Sequence, residues 1–348
     1  MAAHFIYPGD WRRLDGRPSF YLKLDNPRRL VQPRLCRFRK DDTLGEAGVP
    51  LTVEVSPCGT LVKVSSGVLL ENGKYVLDIL DETTLRSVGV IGFVVDPLGV
   101  HCAATAEEMA AFCSRVEDTK ILVNGAGKCG STWLYRLLGT LPGFHTHNMD
   151  GLTGRDLPDL ENVAPRGVFH GHYRMTHELW SMLHDKGFSA VNIVRDPRDV
   201  IVSEYFHLFH MQRGSHHPHL LHLDKDAMLS YSRIQQWSYT YHYMFDALNW
   251  SRCDQVLTVR YEDLLNRQQD TMRAVMHHLR LPYVPSIMDS VIGFNAFRYE
   301  TGGRDRGSED ACSPNRKGIV GDHRNHMTPE TADLLSRRFA AIFQEFGY

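Results

Sequence analysis

The sequence predicts an α/β fold, a parallel sheet with helices on both faces and a P-loop-like phosphate-binding loop, preceded by a small β-rich N-terminal domain. Three observations predict it. From Lys120 onward, short apolar runs alternate with helix-patterned segments, the pattern of parallel strands covered on both faces. At Ile121–Leu138 an apolar run, three glycines and a helical pattern follow one another without a gap. Before residue 118 the apolar runs are short and separated by turn residues, as in a β-rich unit. The expected boundary divides residues 1–117 from residues 118–348.

In the first part, Leu51–Val55 alternates apolar and polar residues and reads as a half-buried strand. Thr60–Leu70 and Lys74–Leu80 are two further strand runs, and Asn72-Gly73 between them predicts a hairpin. Ser87–Val95 is another strand, closed by Asp96-Pro97, and Ala104–Val116 reads as a short helix. Eight arginines fall in the first forty residues, a density read as a solvated surface. No paired carboxylates or clustered ligands appear here. Two roles stay open for this part: positioning an acceptor, or self-association into a homodimer.

In the second part, Met149–Arg166 is rich in Gly, Pro and Asp and reads as surface loop. Gly167–His170 reads as a buried strand, Thr176–Lys186 as a helix and Ala190–Val194 as a strand. Asp199–Phe209 is the next helix, with Pro197 just before it. Tyr231–Trp250 reads as one long amphipathic helix with its aromatic residues buried, Val256–Val259 as a strand and Thr271–Leu279 as a helix. Ligands of such sheets sit beyond the strand C-termini. Gly125, His172 and Arg195 fall there.

A net charge of -2 argues against nucleic acid or a membrane surface as the main partner. No run of eighteen apolar residues predicts a membrane span. The first residues lack the basic patch and apolar core of a signal peptide. Seven cysteines without a C-x-x-C pair suit free thiols in a reducing compartment. The expectation is a soluble, cytoplasmic chain.

The Gly-rich loop carries the first chemistry. Gly125, Gly127 and Gly130 let the backbone turn and approach a ligand closely. The helix that follows points unpaired N–H groups and its dipole at an anion. Lys128 adds a charge, and Ser131 and Thr132 add hydroxyl donors. The nucleotide-triphosphatase loop carries Ser or Thr directly after its lysine to hold magnesium; here that residue is Cys129, and Leu122 stands where the first glycine belongs. Lys128-Cys-Gly-Ser-Thr-Trp133 instead resembles the opening of the sulfotransferase domain. There the loop holds the 5′-phosphosulfate of 3′-phosphoadenosine 5′-phosphosulfate (PAPS).

Three later stretches extend the resemblance over residues 120–348. Val191–Phe206 is similar to the family's 3′-phosphate motif, with Arg195 and Ser203 eight residues apart (195 to 203). Arg195 offers a planar fork suited to a phosphate; on its residues alone, an ion pair with Asp199 is the other reading. Arg316-Lys317-Gly318, within Arg316–Thr328, resembles the C-terminal signature, in which the two cations converge on the 3′-phosphate around a glycine nest. Tyr261, in Tyr-Glu-Asp-Leu, falls where the family places a ring near adenine. The resemblance implies Trp133 and Phe297 as the flat faces for the base.

It also implies PAPS as co-substrate, 3′,5′-ADP as product, no metal, and a small-molecule or glycan acceptor that the sequence does not identify. The family's general base is a histidine at a strand end, which maps to His172, 23 residues before Arg195 (172 to 195). His170 stands where many members carry lysine. The two histidines, two apart, are expected to point to opposite sides, with His172 as base and Lys128 stabilising the leaving oxygen. Gly127, Lys128, Cys129, Gly130, Ser131, Thr132 and Trp133 would hold the 5′ end of the nucleotide. Rival readings are a P-loop kinase using ATP and magnesium, and a sensor that holds 3′,5′-ADP without turnover. Six histidines between His207 and His222 are read as an exposed lid over the acceptor rather than a metal site.

Overall fold

The computed structural model describes residues 3–6, 19–24, 31–37, 51–55, 61–66, 73–81, 87–96, 99–101, 108, 111–112, 114–116, 118–141, 144–147, 166–212, 216–301 and 304–348. The first part forms two antiparallel four-stranded sheets. One is ordered β1 (Ala3–Ile6), β2 (Ser19–Leu24), β5 (Leu61–Ser66), β4 (Leu51–Val55). The other is ordered β3 (Val31–Arg37), β6 (Gly73–Asp81), β7 (Ser87–Asp96), β8 (Gly99–His101).

The expected hairpin between Thr60–Leu70 and Lys74–Leu80 does not form. β5 pairs with β2 and β4, whereas β6 pairs with β3 and β7 in the other sheet. Asn72 itself lies outside the described residues. Asn-Gly encodes a reversal of direction, but the pairing is decided by which partners bury each strand's apolar face. Of the helix expected over Ala104–Val116, Glu108, Ala111 and Phe112 are helical. Only Arg166 of the expected loop Met149–Arg166 is among the described residues. β7 lies against the helix Pro285–Phe294, and Ser286 Oγ donates to Glu108 Oε2 at 2.9 Å.

The second part is built on a five-stranded parallel sheet ordered β10 (His145–His147), β11 (Gly167–Gly171), β9 (Lys120–Gly125), β12 (Phe188–Val194), β13 (Val256–Arg260). The chain leaves the central β9 toward β10 and β11, then crosses to β12 and β13 on its other side. That reversal opens a crevice at the C-terminal end of β9, the usual ligand position in such sheets.

Side-chain alternation places the two faces of the sheet in two separate cores. Leu122, Phe169, Ala190 and Val256 pack with Leu179 and Leu183 of α2 (His177–Asp185). Ile121, Val123, Val191 and Ile193 pack on the other face with Leu134, Leu137 and Leu138 of α1 (Ser131–Gly139). α3 (Pro197–Tyr205) carries Pro197 in its first turn and buries Val200, Ile201 and Val202. It passes into a π-helical turn over Phe206–Met211 instead of continuing as α-helix to Phe209.

The expected long helix over Tyr231–Trp250 is three short ones, Tyr231–Trp237, Tyr239–Tyr243 and Asp246–Ser251. The first break has a cause 34 residues upstream: Glu204, fully buried on α3, accepts a 2.5 Å bond from Ser238 Oγ and one of 3.1 Å from Tyr239 N. Satisfying that carboxylate holds Ser238 extended, where its Oγ caps Tyr241 N at 3.0 Å. Among the described residues no helix is long and apolar enough to cross a membrane.

Candidate active site

β9 ends at Gly125, where an added Cβ would stand 2.7 Å from Ile193 O on β12. Lys128 then takes φ 66, a left-handed conformation uncommon for a non-glycine residue. Gly130 follows at φ 93, and a Cβ there would meet the Tyr261 ring at 2.5 Å. Gly130 caps α1 without a side-chain hydrogen bond, so the first N–H groups of the helix stay available. Among the described residues the N–H groups of Lys128, Gly130, Ser131 and Thr132 find no acceptor.

Cys129 turns the other way. It is fully buried, its N–H donates to Ala126 O at 3.2 Å, and burial pushes its thiol up to about 12. Sequence reading places Cys129 at the nucleotide; its side chain packs in the core and is not among the cavity-lining residues. Lys128 Nζ makes no hydrogen bond or ion pair among the described residues. Burial first, then repulsion from Arg195, lowers its pKa to about 8.

His170 and His172 do not point to opposite sides. Residues two apart on a strand share a face, and the two rings stand 4.9 Å apart. They differ in partners. His170 Nε2 lies 2.8 Å from Ser131 Oγ, and burial, then the neighbouring His172, lowers its pKa to about 4. His172 Nδ1 lies 2.6 Å from the Gly125 carbonyl. A carbonyl only accepts, so Nδ1 carries the hydrogen and Nε2 of the neutral ring keeps its lone pair. Burial chiefly lowers the His172 pKa, the Gly125 bond opposing, so the neutral form prevails at neutral pH.

Arg195 donates to Lys128 O at 3.3 Å and to Ile319 O at 3.0 Å, with its guanidinium 4.4 Å from the Tyr261 ring centroid. It thus ties the loop after β9 to the C-terminal loop, and its buried Nε has no partner among the described residues. Asp199 forms an ion pair with it at 3.8 Å and is held also by the C-terminal loop. Its carboxylate accepts from Gly321 N at 2.6 Å, His323 N at 2.9 Å and His323 Nδ1 at 2.8 Å. Arg316 pairs with Glu309 at 2.5 Å and with Asp322; Lys317 lies 2.8 Å from Asp322 and 3.8 Å from Glu309. Gly318 takes φ 65 where a Cβ would meet the Phe297 ring at 2.7 Å.

Every expected binding or catalytic residue except Cys129 lines one cavity of about 340 Å³. Sequence reading missed Arg306, whose guanidinium sits 5.1 Å from the Trp133 ring centroid, and the wall residues His207, Tyr239 and Asn295. Asn295 carries a partial signal, since it adjoins the Phe297 stretch and its carbonyl accepts from Trp133 Nε1 at 3.3 Å. Arg306, in Gly-Arg-Asp-Arg-Gly, carries none. Five cationic side chains, free loop N–H groups, rings at Trp133 and Phe297 and the unpartnered Arg195 Nε fit an adenosine nucleotide with phosphates at both ends. No group of three or more His, Cys, Asp and Glu side chains is placed to hold a metal among the described residues.

A 3-alpha-hydroxysteroid sulfotransferase of Cavia porcellus is 26% identical over 167 residues, 45% of this chain and 55% of that protein. The match thus spans about half the length of that curated relative. Mouse sulfotransferase SULT7A1, solved with PAP, is 18% identical, with 68% of this chain and 88% of that one covered and a TM-score of 0.49. A retinol dehydratase solved with androsterone and PAP is 14% identical, with 77% and 89% covered and a TM-score of 0.43. Residues 118–347 match the sulfotransferase domain family, and the chain belongs to it.

Proposed function

We propose that the chain transfers a sulfuryl group from PAPS to a hydroxyl or amine of an acceptor and releases 3′,5′-ADP. One observation carries this reading. The cavity pairs a base with a free cation: His172 Nε2 is left open by the Nδ1 bond to Gly125, and Lys128 Nζ has no partner among the described residues. PAPS would bring an activated sulfuryl group whose bridging oxygen leaves on the 5′-phosphate. His172 takes the proton of the attacking acceptor atom at Nε2, which its lowered pKa keeps unprotonated at neutral pH. Lys128 and the open N–H groups after it hold positive potential where negative charge grows. Arg195, Ser203, Arg316 and Lys317 are the residues to hold the 3′-phosphate, and Trp133, Tyr261 and Phe297 those to flank the base.

Calorimetry tests the nucleotide half: 3′,5′-ADP is expected to bind far more tightly than 5′-AMP, with ATP and magnesium a poor competitor. Equal affinities for the two adenosine nucleotides would overturn the assignment. Labelled PAPS with a panel of acceptors tests the transfer half.

A further inference from the structure

Beside the nucleotide cavity lies a second one, of about 460 Å³, and its walls have a different chemistry. His207 and Tyr239 belong to both, so the second cavity adjoins the first. The nucleotide cavity has five Lys and Arg side chains among its lining residues. Among the described residues the second has ten lining residues, none of them Lys, Arg, Asp or Glu. It is walled by four histidines and two glutamines, together with Trp237, Ser238, Tyr239 and one leucine.

From this composition the geometry points to an uncharged, hydroxyl-rich acceptor, a neutral saccharide or polyol, as the molecule that receives the sulfuryl group. The inference rests on the transfer reading above and names the acceptor's class. A neutral imidazole offers one N–H donor and one nitrogen acceptor, and a glutamine amide offers both. A hydroxyl likewise donates and accepts, so a wall of these groups can satisfy a row of them. The flat rings of Tyr239 and the histidines match the C–H face of a sugar ring. Among the described residues of this wall an anionic acceptor would find no Lys or Arg and a cationic one no carboxylate. A wholly apolar acceptor would strip water from His and Gln side chains without replacing its hydrogen bonds.

His207 and His217 do not supply a hidden positive charge at neutral pH. Burial, then Lys128, holds His207 at about 4, and burial, with His219 and His216 beside it, lowers His217. The position also suits transfer, because His207 and Tyr239 line both this cavity and the one lined by His172 and Lys128.

The test uses the full chain, labelled PAPS and four acceptor probes: maltose, N,N′-diacetylchitobiose, an unsulfated hyaluronan disaccharide and 2-naphthol. Saturation-transfer NMR of the same probes in the presence of 3′,5′-ADP gives a binding readout that needs no turnover. The expected result is binding of, and transfer to, a neutral disaccharide in preference to the uronate disaccharide and the naphthol. His217→Phe keeps a flat ring and removes both nitrogens. It should raise the KM for the disaccharide about tenfold while 3′,5′-ADP affinity stays unchanged. Preference for the uronate or the naphthol, no saturation transfer to either neutral disaccharide, or an unchanged KM in His217→Phe would each overturn the inference. Failure to bind 3′,5′-ADP at all would instead overturn the transfer reading beneath it.

Discussion

On the wall built by the loop after β9, the one cationic side chain, Lys128, has no partner among the described residues, and burial with Arg195 beside it lowers its pKa to about 8. On the wall built by residues 314–319, Arg316 and Lys317 are already held by Glu309 and Asp322. Asp322 shows how complete that pairing is. Burial alone would raise its pKa, yet His326, Lys317, Asn325 and Arg316 together hold it well below the usual carboxylate range. Both walls descend from basic motifs. One keeps a charge without a partner among the described residues, and the other spends most of its charge on its own architecture. A basic residue in a motif is therefore not by itself a measure of how strongly an anion is held.

The largest expected effect tests whether the chemistry lies on the uncompensated side. His172→Ala should lower kcat by about 10²–10⁴-fold, the usual worth of a positioned base, with 3′,5′-ADP affinity nearly unchanged. His170→Ala should cost much less, because its Nε2 is engaged with Ser131. Both rings face the same way, so the ranking now rests on hydrogen bonding rather than on direction. A larger loss in His170→Ala would move the base to that residue.

Next comes the direct contrast between the walls. Lys128→Ala should lower kcat about 10²–10³-fold, the cost of one preorganised donor, and Lys317→Ala less than about tenfold, since an exposed or compensated charge contributes little. Comparable losses in the two variants would erase the distinction. The pH profile of kcat/KM for PAPS sharpens it. The base works when neutral, so the rate falls with acid through the His172 pKa, below the ordinary imidazole value. The cation works when charged, so the rate falls again as pH rises through about 8. An alkaline limb that survives unchanged in Lys128→Arg would assign it to another group.

A smaller effect concerns Arg195, which joins the two walls through Lys128 O and Ile319 O. Two of its five N–H groups serve that tie, leaving donors for a phosphate. Arg195→Ala should weaken 3′,5′-ADP binding by about 1.5–3 kcal/mol, the range for a charge-assisted hydrogen bond. A loss of the same size for 5′-AMP would show that the residue only braces the loops.

What the sequence made legible follows from how local each signal is. The strand, glycine loop and α1 read correctly because a turn into a helix N-terminus is encoded within about fifteen residues. The motif residues line one cavity, apart from Cys129, whose side chain turns away from it. What escaped is non-local. The partners of β5 and β6 depend on strands far along the chain, so Asn72-Gly73 could not name them. The break at Ser238 is set by Glu204 on another helix, invisible in a run that is apolar on one face. Asp199 reads as an ion-pair partner for Arg195 and lies 3.8 Å from it, whereas its three bonds to Gly321 and His323 emerge only when the C-terminal loop folds onto α3.

The smallest expected effect probes the compensated wall itself. Glu309 holds Arg316 through Oε1 at 2.5 Å and stands 3.8 Å from Lys317, and its side chain is about one-third exposed. Asp322 grips the same two cations and is buried, so Arg316 and Lys317 keep their places when Glu309 loses its charge. A 3′-phosphate arriving at these cations competes with the Glu309 carboxylate for them. Glu309→Gln preserves shape and removes the competing charge, and should therefore tighten 3′,5′-ADP binding, by about 0.5–1 kcal/mol given the weak coupling of half-exposed pairs. The gain should be absent for 5′-AMP, which has no 3′-phosphate, and should shrink as salt screens the pair. Weaker binding of 3′,5′-ADP in this variant would mean that Glu309 orders the C-terminal loop for the nucleotide rather than competing with it, and the wall would then be built rather than merely neutralised by its carboxylates.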